Sequence, residues 1–129
     1  MVMVDAAHNP PAADALQIAL NKLTPLKPLL VVGMLSDKDQ YSYLRALRRL
    51  SDRIIFTTPN EPSRSLSAQT LSNISNGVFE HSEVIPDPIE AYRKAREVSD
   101  FVLVTGSIYL ISEIIEYENK GKIEYFQKA

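Results

Sequence analysis

The sequence predicts an α/β fold built on an open, mostly parallel sheet of about six strands with helices on both faces. Short apolar segments alternate about five times with segments whose apolar residues recur at helical spacing. The segments Leu29–Gly33 and Asp100–Thr105 contain continuous apolar runs, which are typical of parallel strands buried on both faces. Because strands that alternate with helices of about 8–12 residues form βαβ units, right-handed crossovers and a parallel sheet follow.

The strands are predicted from short runs of aliphatic, β-branched and aromatic residues bounded by polar turns. The predicted strands are Val2–Val4, Leu29–Gly33, Arg53–Thr57, Val78–Glu80 and Asp100–Thr105. Residues Ile123–Phe126 form either a final edge strand or a frayed tail.

The helices are predicted from apolar residues at i, i+3, i+4 and i+7 spacing. They cover Ala12–Leu23, Tyr41–Leu50, Ala68–Ser75, Ile89–Ser99 and Ile108–Asn119. In the first helix, the expected inner stripe is Leu16, Ala19, Leu20 and Leu23. The pair Asn76-Gly77 is expected to end the third helix in a left-handed conformation, and Gly121 is expected to break the last one.

Composition narrows the class of protein. The chain has 129 residues, of which 45% are hydrophobic and 23% charged, as in an ordinary single soluble domain. A net charge of −2 does not favour nucleic acid or an anionic membrane as a partner, and no apolar run approaches the ~20 residues of a membrane span. Cysteine is absent, which excludes disulfides, thiolate metal sites and cysteine nucleophiles. We expect a cytoplasmic protein, and a chain cut at a domain boundary, because the first strand begins at residue 2.

Polar residues follow three of the predicted strands at their carboxyl ends. Asp5, His8 and Asn9 follow the first strand, Ser36–Asp39 the second, and Thr105–Ser107 the last. In an open α/β sheet, ligands bind in the crevice beyond the carboxyl ends of the strands. We therefore expect these three loops to converge on one crevice.

Each of these residues has a binding interpretation and a purely structural one. Asp5 suits a ribose diol, Lys38 a carboxylate or phosphate, and the helix that follows Ser107 an anion at its first amides. Alternatively, Asp5, Asn9 and Ser107 only cap helices, His8 is a hydrogen-bonded turn residue, and Lys38 lies in a solvated turn.

The longest polar connection, Thr58–Ser67, contains a single arginine, Arg64. Connections in such folds are commonly about 2–6 residues long, so a longer one is often functional. Arg64 is a candidate to bind a substrate carboxylate, and its structural alternative is an ordinary surface arginine.

Several enzyme classes lack their signatures. Neither G-x-x-x-x-G-K-[ST] nor G-x-G-x-x-G occurs, so the chain has no phosphate-binding loop and no dinucleotide fingerprint. With two histidines and no cysteine, a transition-metal site is not expected. A receiver domain needs an acidic residue after its third strand and a lysine after its fifth, where this chain has Thr57-Thr58 and Thr105-Gly106.

Four segments together resemble one family. Asp5–Pro10 resembles the D-G-A-H-N-P signature of folylpolyglutamate and dihydrofolate synthases, and Val32–Asp39 their (V/F)-G-x-L-x-D-K-D segment. Thr57–Arg64 is similar to their T-x-P-…-R loop, and Leu103–Leu110 to their L-V-T-G-S-L-Y-L run. The chain is identified by these motifs as resembling the carboxyl-terminal domain of these enzymes, which belong to the Mur ligase superfamily and have a Rossmann-like domain at this position.

The resemblance implies an ATP-dependent reaction that joins glutamate to folate or dihydropteroate through an acyl phosphate. It implies that Asp5 binds the ATP ribose, and that His8, Asn9, Lys38 and Ser107 form the glutamate site. It also implies that Arg64 binds a carboxylate of a substrate. No catalytic residue and no metal ligand is expected in this chain.

The partner implied by the resemblance is an amino-terminal ATP-binding domain of the same parent chain, which holds the phosphate-binding loop and the Mg²⁺ ligands. The isolated chain is therefore expected to be inactive. The alternative is a Rossmann-like binding or interaction module that is related to these ligases and catalyses nothing.

Overall fold

The computed structural model describes residues 1–5, 9–23 and 26–128 and shows one five-stranded parallel sheet with helices on both faces. The strands are β1 Val2–Asp5, β2 Leu29–Val32, β3 Arg53–Phe56, β4 His81–Val84 and β5 Val102–Thr105. The helices are α1 Pro10–Leu23, α2 Gln40–Leu47, α3 Ala68–Ser75, α4 Pro88–Val98 and α5 Ile108–Lys128. The α/β class is thus confirmed.

The last strand lies inside the sheet. The spatial order is β1-β5-β2-β3-β4, so β5 pairs with β1 on one side and β2 on the other. Both β2 and β5 are buried at every position, as the continuous apolar runs predicted.

Two apolar layers hold the helices on opposite faces of the sheet. On one face, α1, α2 and α3 pack their inner side chains, among them Leu16, Leu44 and Leu71, against alternate residues of the strands. On the other face, α4 and α5 pack Tyr92, Ile114 and their neighbours against the intervening strand residues. Because side chains alternate across a strand, each buried strand contributes to both layers.

The fourth strand begins after its predicted position. The prediction at Val78–Glu80 is wrong, because Phe79 is a buried core side chain that packs edge-on against Phe56, with ring centroids 6.2 Å apart. The ladder with β3 starts at His81, whose backbone N–H donates to the Asp52 carbonyl at 3.0 Å. The apolar signal there indicated core packing and not strand pairing.

The sixth strand is absent from the described residues. Residues Ile123–Phe126 belong to α5, which runs through Gly121 to Lys128, so both the final edge strand and the helix break at Gly121 were wrong. A glycine inside a helix costs only about 1 kcal/mol relative to alanine, which is too little to end a helix by itself. The left-handed end of α3 at Asn76 and Gly77 is confirmed.

Two glycines allow the loops after β2, β3 and β5 to approach each other closely. Gly106 has φ +110°, and a Cβ there would lie 2.5 Å from the Gly33 carbonyl oxygen. A Cβ on Gly33 would in turn lie 2.9 Å from the Pro59 ring and 3.0 Å from the Thr57 carbonyl oxygen. The backbone contacts between these loops leave no room for side chains.

Replacing Gly106 by alanine is expected to destabilise the fold by about 2–4 kcal/mol, since it adds backbone strain to a steric clash. The matched control is Gly77→Ala, because Gly77 also has a positive φ, +80°, but has open space around it. The control should lose only about 1 kcal/mol. Urea unfolding of both variants measures the difference, and equal losses would contradict the role assigned to the close approach.

Candidate functional site

The sheet order creates a crevice at the carboxyl end of β5. Asp5 of β1, Thr105 of β5 and Val32 of β2 are in register at this edge. The helix after β5 lies on one face of the sheet, whereas the helices after β1 and β2 lie on the other. Neighbouring strands whose helices diverge in this way form the crevice where ligands bind in open α/β sheets.

Tyr43 forms the buried floor of this crevice. Its hydroxyl makes a 2.7 Å hydrogen bond with the Thr105 hydroxyl, and the whole residue is buried. Burial raises the pKa of Tyr43 well above its ordinary value, and the nearby Asp5 carboxylate raises it further, against an opposing effect of the Thr105 hydrogen bond. Tyr43 is therefore a neutral group beside a carboxylate.

From the sequence, the helical spacing of Tyr43 predicts a position in the core or at its rim and indicates no role in a ligand site. The helical spacing of Leu44 and Leu47 correctly predicted which side of α2 is buried. A buried tyrosine hydroxyl needs a hydrogen-bond partner, and that requirement is the only signal that could have suggested one. The partner, Thr105, is 62 residues away in the chain.

The loop after β2 is shaped by hydrogen bonds to its own backbone. Asp39 caps α2 by accepting from the Ser42 N–H at 3.2 Å, and Gln40 donates to the Leu35 carbonyl at 2.9 Å. Lys38 lies in the same turn and is half-buried, while Asp37 is exposed. The turn therefore presents one cation and one carboxylate at the rim of the crevice.

The loop after β3 folds back onto the loop after β2. Leu35 and Ser65 form an isolated antiparallel bridge, and the Ser36 N–H donates to the Arg64 carbonyl at 2.7 Å. Glu61 braces the same loop by accepting from the Ser63 hydroxyl at 2.6 Å, which lowers the pKa of its carboxyl.

Arg64 connects three loops. Its guanidinium donates to the Tyr109 hydroxyl at 2.8 Å, lies over the Tyr109 ring at 5.7 Å from the centroid, and approaches the Asp37 carboxylate at 4.0 Å. The side chain remains 47% exposed. Arg64 is thus held at the crevice rim by groups from the loop after β2 and the first turn of α5.

The helix-capping interpretation is confirmed for two of the candidates. The Asn9 side-chain oxygen accepts from the Ala12 N–H at 3.0 Å, and the Ser107 hydroxyl accepts from the Tyr109 N–H at 3.1 Å. Ser107 is buried beside Thr105, whereas Asn9 is exposed. His8 lies outside the described residues, so its position stays a prediction, as do the binding roles of all these residues.

Among the described residues, no group of three metal-ligating side chains lies in the crevice. Within the described ranges, the one group of three side chains able to hold a metal is Asp52, Glu80 and His81. This group lies where β3 and β4 begin, at the edge of the sheet opposite the crevice. No described helix combines the length and apolar character needed to cross a membrane.

These observations define an open parallel α/β domain with a ligand crevice at the end of its central strand. A family model described as "Mur ligase, glutamate ligase domain" matches residues 1–108. The chain belongs to this family of Mur ligase glutamate ligase domains, and the resemblance recognised in the sequence is confirmed.

Two similar proteins are both named as folylpolyglutamate synthases. The dihydrofolate synthase/folylpolyglutamate synthase of Escherichia coli is 29% identical over 116 residues, which cover 89% of this chain and 27% of that protein. A probable bifunctional folylpolyglutamate synthase/dihydropteroate synthase of Haloferax volcanii is 28% identical, over 87% of this chain and 14% of that protein.

Solved structures agree with these relatives. A bifunctional folylpolyglutamate synthase/dihydrofolate synthase from Yersinia pestis, complexed with AMPPNP and Mn, has a TM-score of 0.81 at 30% identity over 92% of this chain and 28% of that one. A bifunctional folylpolyglutamate synthase/dihydrofolate synthase with Mn, AMPPNP and L-glutamate bound has a TM-score of 0.80 at 29% identity, with 92% and 29% covered. The chain spans less than a third of the length of each relative.

Raising the pH should destabilise the fold through Tyr43. Because its folded-state pKa lies above the ordinary value of 10.0, its contribution to stability is complete below pH 10 and is lost as the pH rises towards the folded-state pKa. The loss reaches up to about 1.4 kcal/mol per pH unit. Burial, together with Glu118, also raises the pKa of Tyr92, to about 12, so Tyr92 adds to the wild-type decline.

Urea unfolding at pH 8, 10 and 11 measures this loss. Tyr43→Phe should be about 1 kcal/mol less stable at pH 8 through the lost hydrogen bond, but should lose less stability than wild type between pH 10 and 11. Tyr41→Phe is the control, because Tyr41 is exposed. An unchanged pH dependence in Tyr43→Phe would contradict the assignment.

Proposed function

We propose that this chain is the carboxyl-terminal, glutamate-binding domain of an ATP-dependent folate:glutamate ligase, and that it supplies part of the ATP site as well. The observation that supports this most is the convergence of three polar loops at the carboxyl end of β5, in a member of the glutamate ligase domain family. A relative of similar fold has been solved with Mn, AMPPNP and L-glutamate bound.

The proposed reaction forms an amide bond. ATP phosphorylates a carboxylate of folate or dihydropteroate to an acyl phosphate, the glutamate amine attacks its carbonyl carbon, and phosphate leaves from the tetrahedral intermediate. The role of this chain is to hold the amine of glutamate and one end of the nucleotide in position, which lowers the entropic part of the barrier.

The residue roles follow the family resemblance. Asp5 would accept hydrogen bonds from the ATP ribose, and His8, Asn9, Lys38 and Ser107 would bind glutamate. Two positions support these roles. Asp5 ends β1 in register with Thr105, and Ser107 directly precedes the helix after β5. The N–H groups at that helix start favour a carboxylate.

Arg64 is proposed to bind a substrate carboxylate. A guanidinium has five N–H donors, so its contacts with Tyr109 and Asp37 leave donors for a ligand. The side chain is 47% exposed, so a ligand can approach it from solvent.

The remaining components are proposed to lie outside this chain. By the family resemblance, Mg²⁺ ligands and the phosphate-binding loop are assigned to an amino-terminal ATP-binding domain of the same parent chain. Relatives that bind Mn with AMPPNP are consistent with a metal–nucleotide substrate. The cytoplasm is the proposed location, where ATP and folates are available.

In the parent enzyme, His8→Ala should raise the KM for glutamate at least tenfold and leave the KM for the folate substrate within about twofold, because only the glutamate contact is lost. Asp5→Ala should act mainly on the KM for ATP. Steady-state kinetics with each substrate varied in turn separate these effects. Equal effects of His8→Ala on both substrates, or none, would remove His8 from the glutamate site.

The 129-residue chain alone should show no ATP-dependent ligation of glutamate to dihydropteroate or tetrahydrofolate, because it has no phosphate-binding loop. The parent protein should be active with one or both of these acceptors, as measured by release of ADP and phosphate. An inactive parent without an upstream phosphate-binding domain would favour the alternative, a non-catalytic binding module.

A further inference from the structure

A large groove of the described structure lies outside the crevice. A groove of about 760 Å³ lies beside α1 and α2 and is lined by three arginines of α2 and its carboxyl end: Arg45, Arg48 and Arg49. Among the described residues that line the groove, the only acidic one is Asp14. The chain as a whole has a net charge of −2, so this groove is positive within an acidic molecule.

Two of the three arginines are held in place by neighbouring groups. Arg49 forms an ion pair with Asp14 at 2.5 Å. Arg45 lies over the Tyr41 ring at 5.8 Å from its centroid and donates to the Tyr41 hydroxyl at 3.5 Å. Arg48 follows Arg45 after three residues, so both guanidinium groups project from the same side of α2, about 5–6 Å apart at their Cβ atoms.

The groove begins at the rim of the crevice. Pro10 and Ser42, which line it, belong to the first turns of α1 and α2. Both helices start at the carboxyl edge of the sheet, and the Ser42 N–H is capped by Asp39 of the loop after β2. An extended ligand that leaves the crevice beside the loop after β2 can therefore enter the groove without crossing the core.

We propose that this groove binds the poly-γ-glutamate tail of a folate acceptor, a proposal that rests on the ligase function proposed above. Each γ-linked residue carries one free α-carboxylate, and five backbone bonds separate successive carboxylates by about 6 Å when extended. This repeat matches one turn of α2, so successive carboxylates face Arg45 and Arg48. Arginine binds carboxylates in a planar, bidentate geometry, which favours this ligand.

Titration of the 129-residue chain tests binding directly. The probes are γ-linked pentaglutamate, γ-linked diglutamate and α-linked pentaglutamate, followed by calorimetry at low salt. The γ-linked pentaglutamate should bind about tenfold more tightly than the diglutamate, because more carboxylates are paired. The double variant Arg45→Gln/Arg48→Gln should lose most of this preference.

The matched control is Arg93→Gln/Lys94→Gln, which removes two exposed cations from α4 on the opposite face of the sheet. It should bind pentaglutamate as the wild type does. Equal loss in the control would show a general charge effect and overturn the proposal. Equal affinity for α-linked pentaglutamate would assign the groove to acidic peptides, and would also overturn it.

Kinetics of the parent enzyme separate this proposal from the proposed function. Arg45→Gln/Arg48→Gln should raise the KM of a pentaglutamylated acceptor about tenfold and leave that of the monoglutamate unchanged. An active enzyme whose KM values shift equally, or not at all, overturns the tail site and leaves the ligase function intact. A parent without ligase activity overturns the function, while the titration still reports whether the groove binds the tail.

Discussion

The insertion of β5 between β1 and β2 is the constraint on which the rest of the structure depends. It places the last strand beside the first, so that residues from the two ends of the chain share one crevice. It also makes the helix after β5 diverge from the helices after its neighbours, which opens that crevice. The insertion requires a close backbone approach, and Gly106 satisfies it because no side chain separates it from the Gly33 carbonyl.

The crevice combines a neutral floor with a charged rim. Beneath the end of β5, the buried Tyr43 hydroxyl satisfies Thr105 without introducing a second charge next to Asp5. At the rim, the charged groups remain exposed to water, so keeping them charged costs little free energy. A ligand can replace their present partners. Arg64 illustrates this, because its tyrosine and aspartate partners lie on different loops and keep it oriented.

The local patterns predicted most elements well and failed where apolar residues had other roles. Continuous apolar runs located β2 and β5, and apolar residues at helical spacing located the starts of α2 to α4 within one residue. Phe79 was assigned to a strand because an aromatic residue suits both a strand and a core contact. Ala19 belongs to the inner stripe predicted for the first helix but is exposed. The last helix begins at Ile108 as predicted, but its extension from Asn119 to Lys128 was missed, since glycine was given too much weight.

The sequence by itself determined the α/β class, the burial of the central strands, and the four motifs that led to the family. These follow from local spacing and residue type, which need no knowledge of distant partners. Only the tertiary structure decided that β5 lies between β1 and β2, that Tyr43 reaches Thr105, and that three arginines line a groove at the crevice rim. Such contacts join residues far apart in the chain, and their stability depends on packing and desolvation that no local pattern records.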